Sequence, residues 1–481
     1  MTDPLLPLTA PDDAVALIEP AAETRLTYGE LRAEIDRLGR TLVTRGVTPG
    51  DVVAFSMANG PEIVTTFLAV VAAGAAAAPL NPGYTASEFA FYLDDLQPRI
   101  VIGRGDDAPE LPGAVDLAEL AGETAADLPA PDADAVALLL HTSGTTARPK
   151  QVPIRQRNLR ASAGTVAATY GLGAGDVSHC VMPLFHVHGL VASTLATLVS
   201  GGTVICPRRF SANAFWNDGA AHGATWYSAV PTIHHILVTR EREGADRPEH
   251  GLRFARSCSS ALPAPLMAEY EERFAIPLVE AYGMTEAAHQ MASNPLPPDE
   301  RRPGTVGVAT GTEIAILDDE WQPLPTGEVG EVSVRGPGVV DGYRSNPEAN
   351  AASFRDGWFR TGDSGSLDDA GYVHLAGRIK ELINRGGEKI SPHEVEDALL
   401  QHAAVTEAVA FSLPDAKYGE TVGAVVVLVD DASEDELRAW CGERLAPFKV
   451  PVRIVPMDAI PKGPTGKIQR RTMAERIGAA G

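Results

Sequence analysis

Apolar positions along the first three hundred residues switch repeatedly between two periods. "LTYGELRAEIDRLGRTL", from Leu26 to Leu42, places them at helical spacing behind Thr27, a suitable N-cap. "GDVVAFSM" (50–57) then reads as a strand, "GPEIVTTFLAVVAAG" (60–74) as a helix and "RIVIG" (99–103) as a further strand. The same alternation returns in "GTVICP", "FWNDGAAHGA", "TWYSAV" and "PTIHHILVTRERE", which predicts α/β layers built on largely parallel sheet. The apolar run Phe67–Leu80 is too short to span a bilayer and ends near proline, so it reads as a buried helix leading into a strand.

After about residue 304 the texture changes. "EIAILDD", "GEVGEVSVRG" and "GYVHLAGR" are short strands separated by Gly, Asp and Pro, which predicts a β-rich subdomain. The chain then offers "SPHEVEDALLQ" as a capped helix, "EAVAFSL" and "ETVGAVVVLV" as strands and "SEDELRAWCGERL" as a helix. This is a small α+β domain of about 100 residues, and the joint falls within "AGRIKELINRGGEKI". The expected boundaries are 1–379 for a large N-terminal domain and 380–481 for the C-terminal one.

At 481 residues the chain is too long for one compact core. A net charge of −23 argues against a general nucleic-acid or anionic-membrane surface, so any polyanion must be bound in a local site that overrides the global field. The four scattered cysteines form no CxxC pair and suit a reducing cytoplasm. "MTDPLLPLTAPDDA" does not read as a signal peptide, and "IGAAG" carries no peroxisomal address. The expectation is a cytoplasmic protein, monomeric or weakly dimeric.

One loop raises a chemical question. "LLLHTSGTTARPKQVPI" (138–154) empties an apolar strand into hydroxyls, a glycine and Lys150. Against the pattern GxxxxGK[ST], Pro149 replaces the second glycine and Gln151 the magnesium-binding hydroxyl, which disfavours a kinase or GTPase loop. Thr142, Ser143, Thr145 and Thr146, with free N–H groups near Gly144, offer many donors to phosphate oxygens; a polar turn has the same composition. Elsewhere "EAYGMTEAAH" (280–289) puts Thr285 and Glu286 just beyond an apolar strand, where a hydroxyl can hold phosphate and a carboxylate Mg²⁺. "GWFRTGDSG" presents Asp363 in a glycine-bracketed turn, suited to ribose hydroxyls or to an Asx-turn. "GRIKELINRGGEKISP" combines cations with a Gly386–Gly387 turn, and "PKGPTGKIQRR" carries Lys467 in a glycine loop.

Together these segments resemble the acyl-adenylate-forming superfamily of acyl-CoA synthetases, peptide-synthetase adenylation domains and beetle luciferases. "PLFHVHGL", "ATWYSAVPTIH", "RSCSSAL", "GMTEAAHQMASNPLP" and "INRGGEKISPHEVE" most resemble oxalate–CoA ligases. The resemblance implies two half-reactions: carboxylate plus ATP gives acyl-AMP and pyrophosphate, and the CoA thiol then displaces AMP. ATP, Mg²⁺ and coenzyme A are the implied cofactors, and the C-terminal domain becomes a mobile lid. By the same resemblance Thr142, Ser143, Gly144, Thr145, Thr146 and Lys150 handle the β- and γ-phosphates. Thr285 contacts the α-phosphate, Glu286 binds Mg²⁺, and Asp363 binds ribose with Arg378. Ser260, Ala261, Glu280, Ala281, Tyr282 and Gly387 complete the cofactor set, and His186 stands at the gate. Lys467 bridges the attacking carboxylate and α-phosphate, and Lys380 is the hinge. Positioned cations and donors in a water-poor cleft are what such an attack needs.

Oxalate, the favoured acid, carries a second carboxylate next to the reacting one, so its pocket should be short and lined by donors. His188, Ser259 and His289 are the candidates, with His289 at the mouth of the Thr285 cleft and, as a cation, suited to a distal carboxylate. Trp226 and Tyr227 are either pocket wall or core. Short- or medium-chain fatty acyl-CoA synthetase, carrier-loading adenylation enzyme and non-catalytic nucleotide-binding regulator are the alternatives. Ala147 and Gln151 stand where the superfamily pattern has glycine. Gln151 is expected beside the phosphate path, where changing either residue should alter the KM for ATP more than the choice of acid.

Overall fold

The computed structural model describes residues 8–107, 111–120, 126–142, 149–242, 244, 247–461, 470 and 473. Local chemistry sets the first helix as expected: Tyr28–Thr44 begins in a capping box in which Thr27 accepts from the Glu30 N–H and Glu30 accepts from that of Thr27. Its buried Leu31, Leu38 and Leu42 pack beside the apolar helix Pro61–Ala72.

Two sheets carry the N-terminal part. A nine-stranded sheet has a parallel centre running Leu278–Met284, Phe254–Ser257, Trp226–Ala229, Val177–His179, Thr203–Ile205 and Val15–Glu19. Antiparallel strands extend it at both edges, among them His289–Ser293 beside Leu278–Met284. A six-stranded sheet, also mainly parallel, ends in the antiparallel hairpin Val136–Thr142 and Lys150–Arg155, whose loop is the threonine-rich segment. Residues Glu313–Leu317 to Val373–Arg378 form the β-rich antiparallel sheet. A 3₁₀ turn, Ile379–Glu381, leads into the last sheet, which opens with a hairpin turning at Gly386 (φ +63°) and Gly387 (φ +104°). Positive φ at both turn residues is the geometry a two-residue hairpin loop favours, which glycine adopts without strain.

The structure corrects one local reading. Asp363 lies within the ten-residue strand Trp358–Leu367, not in a turn. The glycines mark an irregularity: Gly362 has φ +75° and the pairing slips between Ser364 and Gly365. This bulge re-aims a side chain without ending the strand. Trp226 and Tyr227 are core, the first against Tyr170 and Phe254, the second bonded to His234 and Tyr270. No helix among the described residues is long and apolar enough to cross a membrane.

Candidate active site

A cleft of about 1890 Å³ opens beyond the C-terminal ends of the parallel strands, with the β-rich sheet and the C-terminal domain closing its other walls. Thr142, Lys150, His186, Thr285, Glu286 and His289 line it. So do Ser259, Ser260 and Ala261 from one loop, and Glu280, Ala281 and Tyr282 from one strand. Asp363, Arg378 and Lys380 complete the expected residues found there. His188 is wholly buried behind Ser259, and Gly387 sits at its hairpin tip, off the cleft wall. Ser143, Gly144, Thr145, Thr146, Ala147 and Lys467 lie outside the described residues. Arg470, three positions beyond Lys467, pairs with Glu396 and, at 3.0 Å, with Glu381.

Two charged clusters form one region of the wall. Asp363 and Arg378 are cross-strand partners, with Nε 2.9 Å from Oδ1, and the Tyr282 hydroxyl donates to the other Asp363 oxygen. Arg378 also donates to the Thr361 carbonyl at 2.9 Å. In the second cluster Tyr343 donates to Glu286 at 2.9 Å, while the Lys150 ammonium stands 4.3 Å from the Tyr343 ring centre. Burial pulls the Lys150 pKa down and Glu286 partly restores it. On strand Leu278–Met284, Glu280 accepts from the Leu262 N–H at 2.9 Å, and burial pushes its carboxyl up to about 8.

A second region of the wall is built from the tight hairpin after Thr285. A Cβ on Gly283 would lie 2.1 Å from the His289 carbonyl oxygen, so glycine alone lets the two strands close to this distance. The hairpin seats His289 as a wall of the cleft, 2% exposed, rather than at its mouth. Burial, then the Arg256 guanidinium, then His188 and His186 hold its imidazole well below the usual range. With Nδ1 facing the Arg256 donor, His289 is held in its neutral form rather than as the expected cation. His188 is depressed in the same way, by burial, Arg256, His186 and His234. It begins a π-helical stretch, His188–Leu195, whose Gly189 packs so closely that a Cβ would sit 2.4 Å from the Pro183 oxygen.

Gln151 also departs from expectation. Strand pairing sets it opposite His141, and both reach Asp95: His141 at 2.9 Å, and the Gln151 amide at 2.6 Å to the carboxylate and 2.8 Å to the carbonyl. Alternation puts Lys150 on the other strand face, so Gln151 clamps the hairpin to helix Ala86–Leu96 instead of facing the phosphate path. Sequence reasoning passed over Tyr343, Asp95, Ser228 and Arg256. Only Arg256 left a visible signal, as a cation inside the apolar strand "FARS".

Layered α/β sheets with a C-terminal domain bordering the cleft give the class of fold, and the chain belongs to the AMP-binding enzyme family. That family's profile matches residues 8–344, and the AMP-binding enzyme C-terminal domain matches 394–467. Among individual proteins, the chain is 46% identical to an oxalate–CoA ligase of Arabidopsis thaliana over 94% of this chain and 93% of that one. It is 38% identical to a sulfoacetate–CoA ligase of Cupriavidus necator over 95% and 94%. The crystal structure of ATP-bound MatB from Rhodopseudomonas palustris superposes with a TM-score of 0.90 at 31% identity, covering 99% of both chains.

Proposed function

We propose that the protein is an ATP-dependent carboxylate–CoA ligase acting on oxalate, which it converts to oxalyl-AMP and pyrophosphate and then to the CoA thioester with release of AMP. The observation that carries the choice of acid is the region of the cleft at Ser259 and His289. Ser259 and His289 form its wall, backed by hydrogen-bonded polar side chains where a fatty acyl group would need an apolar tunnel. The Arabidopsis relative bears the name of this activity.

The family resemblance of the motifs, with the described residues among them on the cleft wall, supports the following roles. Thr142 and Lys150, with the Ser143–Thr146 segment between them, handle the outer phosphates; Thr285 takes the α-phosphate. The Asp363 carboxylate, held by Arg378 and Tyr282, receives the ribose hydroxyls. Ser260, Ala261, Glu280, Ala281 and Tyr282 enclose the base. Lys467 brings charge to the attacking carboxylate and α-phosphate, His186 gates the acid site, and Lys380 lies at the joint between domains 1–379 and 380–481. Gly387 reaches the cleft only if the C-terminal domain turns.

The residues present fit a magnesium ion. Glu286 offers a carboxylate next to the Thr285 hydroxyl and close enough to Lys150 to act on its charge, and no group of three or more His, Cys, Asp or Glu among the described residues could hold a metal. A single carboxylate completed by phosphate oxygens is the arrangement Mg²⁺ favours. When bound, the ion neutralises phosphate charge. Tyr343 orients Glu286 for this through its hydrogen bond. Closure of the C-terminal domain excludes water from the mixed anhydride.

The test is AMP release with ATP and CoA across a panel of acids from acetate and oxalate to dodecanoate. The expected result is the highest kcat/KM with oxalate and dependence of thioester formation on CoA. Preference for acetate or a medium-chain acid would refute the assignment.

A further inference from the structure

Arg256, on strand Phe254–Ser257, is fully buried and makes no ion pair among the described residues. Its side chain bonds to neutral groups. Nε donates to the Tyr170 hydroxyl at 2.9 Å, Nη1 to Ser228 Oγ at 2.9 Å, and Nη2 to Gln290 Oε1 at 3.1 Å and His289 Nδ1 at 3.3 Å. A buried cation without a counter-charge is a large free-energy liability, so a site that keeps one is built for an anion.

Its donors also dictate proton positions in the wall. A guanidinium has no acceptor, so His289 Nδ1 must accept, which leaves its one proton on Nε2. Ser228 accepts from Arg256, and its Oγ stands 2.7 Å from His188 Nε2; we assign the tautomer in which the Ser228 hydroxyl donates to that nitrogen. His188 therefore carries its proton on Nδ1 and donates to Ser259 Oγ at 3.1 Å. The Ser259 hydroxyl hydrogen is thereby left for the cleft. Both arms begin at Arg256 and end in a donor on the cleft wall. Both terminal residues have strained backbones for their type, with φ +76° at Ser259 and +135° at His289, as groups fixed by their surroundings do.

We propose that Arg256 is a positioning residue that sets specificity for acids with an anionic group at the far end: it supplies uncompensated positive charge behind the wall and, through Ser228–His188–Ser259 and through His289, fixes two hydrogen-bond donors towards that group. This rests on the carboxylate–CoA ligase reading but not on oxalate being the acid.

The experiment compares distal anions with their neutral isosteres, oxalate with oxamate and malonate with malonamate, by AMP release for wild type, Arg256→Lys, Arg256→Met and Ser228→Ala. Arg256→Met should lower kcat/KM for the distal anions by about 10²-fold, with much smaller changes for the amides and in the KM for ATP. Arg256→Lys should recover part of the discrimination. Ser228→Ala, which keeps the charge and cuts one arm, should lose about tenfold on the anions alone. Equal loss on acids and amides, or an unchanged ratio in soluble Arg256→Lys and Ser228→Ala, overturns the proposal. Wild type that favours malonate over oxalate, but both over their amides, overturns the oxalate assignment and supports the role of Arg256.

Discussion

The two ends of the cleft handle charge in opposite ways. At the nucleotide end Arg378 is paired with Asp363, and the Lys150 ammonium and the Glu286 carboxylate both meet Tyr343, so these two cations have a carboxylate close by within the wall. At the acid end Arg256 has only neutral partners, and the two histidines between it and the cleft are held neutral. On the proposed reading, that pairing suits ATP, whose phosphate charge would be met by loop donors and Mg²⁺. A wall with residual positive charge selects a small acid by what lies beyond its reacting carboxylate. Buried charge at one end of a cleft is thus a structural pair, and at the other a half-pair awaiting its ligand.

The largest effect that would separate the ends from the chemistry itself is at Lys467. Lys467→Ala should reduce pyrophosphate exchange by about 10²–10³-fold while supplied acyl-adenylate still gives thioester; equal loss of both half-reactions removes the assigned role. Asp363→Asn should raise the KM for ATP about tenfold and leave the ranking of acids intact, since it removes an anion at the nucleotide end alone. A change in acid ranking would show that the ends are coupled.

The pH response sharpens the contrast. With His289 faced by Arg256, His188 and His186 and held neutral, kcat/KM for the acid should stay level between pH 7 and pH 6. A rise through about 6.5 would mean that a protonated imidazole is the cation after all. Glu280 gives a smaller, structural signal. Its folded pKa of about 8 lies above the ordinary 4.5, so the native state binds more protons than the unfolded chain between these values. Stability therefore falls as pH rises through that window, and Glu280→Gln should flatten the melting temperature between pH 5 and 8 by a few degrees. Smallest is Gln151→Ala, which loosens the hairpin from Asp95. It should lower the melting temperature slightly and leave the KM for ATP within about twofold, against the expectation drawn from sequence.

Much of the frame was legible because it is local. The Thr27 cap, the alternation of helices and strands to Arg242, the change of texture after residue 304 and the Gly386–Gly387 turn are each written in a few adjacent residues. The nucleotide-end residues were legible as motifs. The misreadings arose where neighbours distant in sequence decide. Glycines around Asp363 look like a turn until the cross-strand partners Glu331 and Arg378 make them a bulge. The direction of Gln151 depends on Asp95, 56 residues away. The protonation of His289 depends on burial and on Arg256, 33 residues back, which comes within reach only when strand Leu278–Met284 pairs with the strands of both. The threonine-rich loop, read first as a turn or a phosphate cradle, is anchored at Thr142 and Lys150, both on the cleft wall.

The most direct test of the acid-end account is the wild-type ratio of kcat/KM for oxalate to that for oxamate, measured by AMP release at pH 7. The two differ in little but the charge of the distal group. A ratio of about 10² or more is the predicted result; a ratio near one would contradict it.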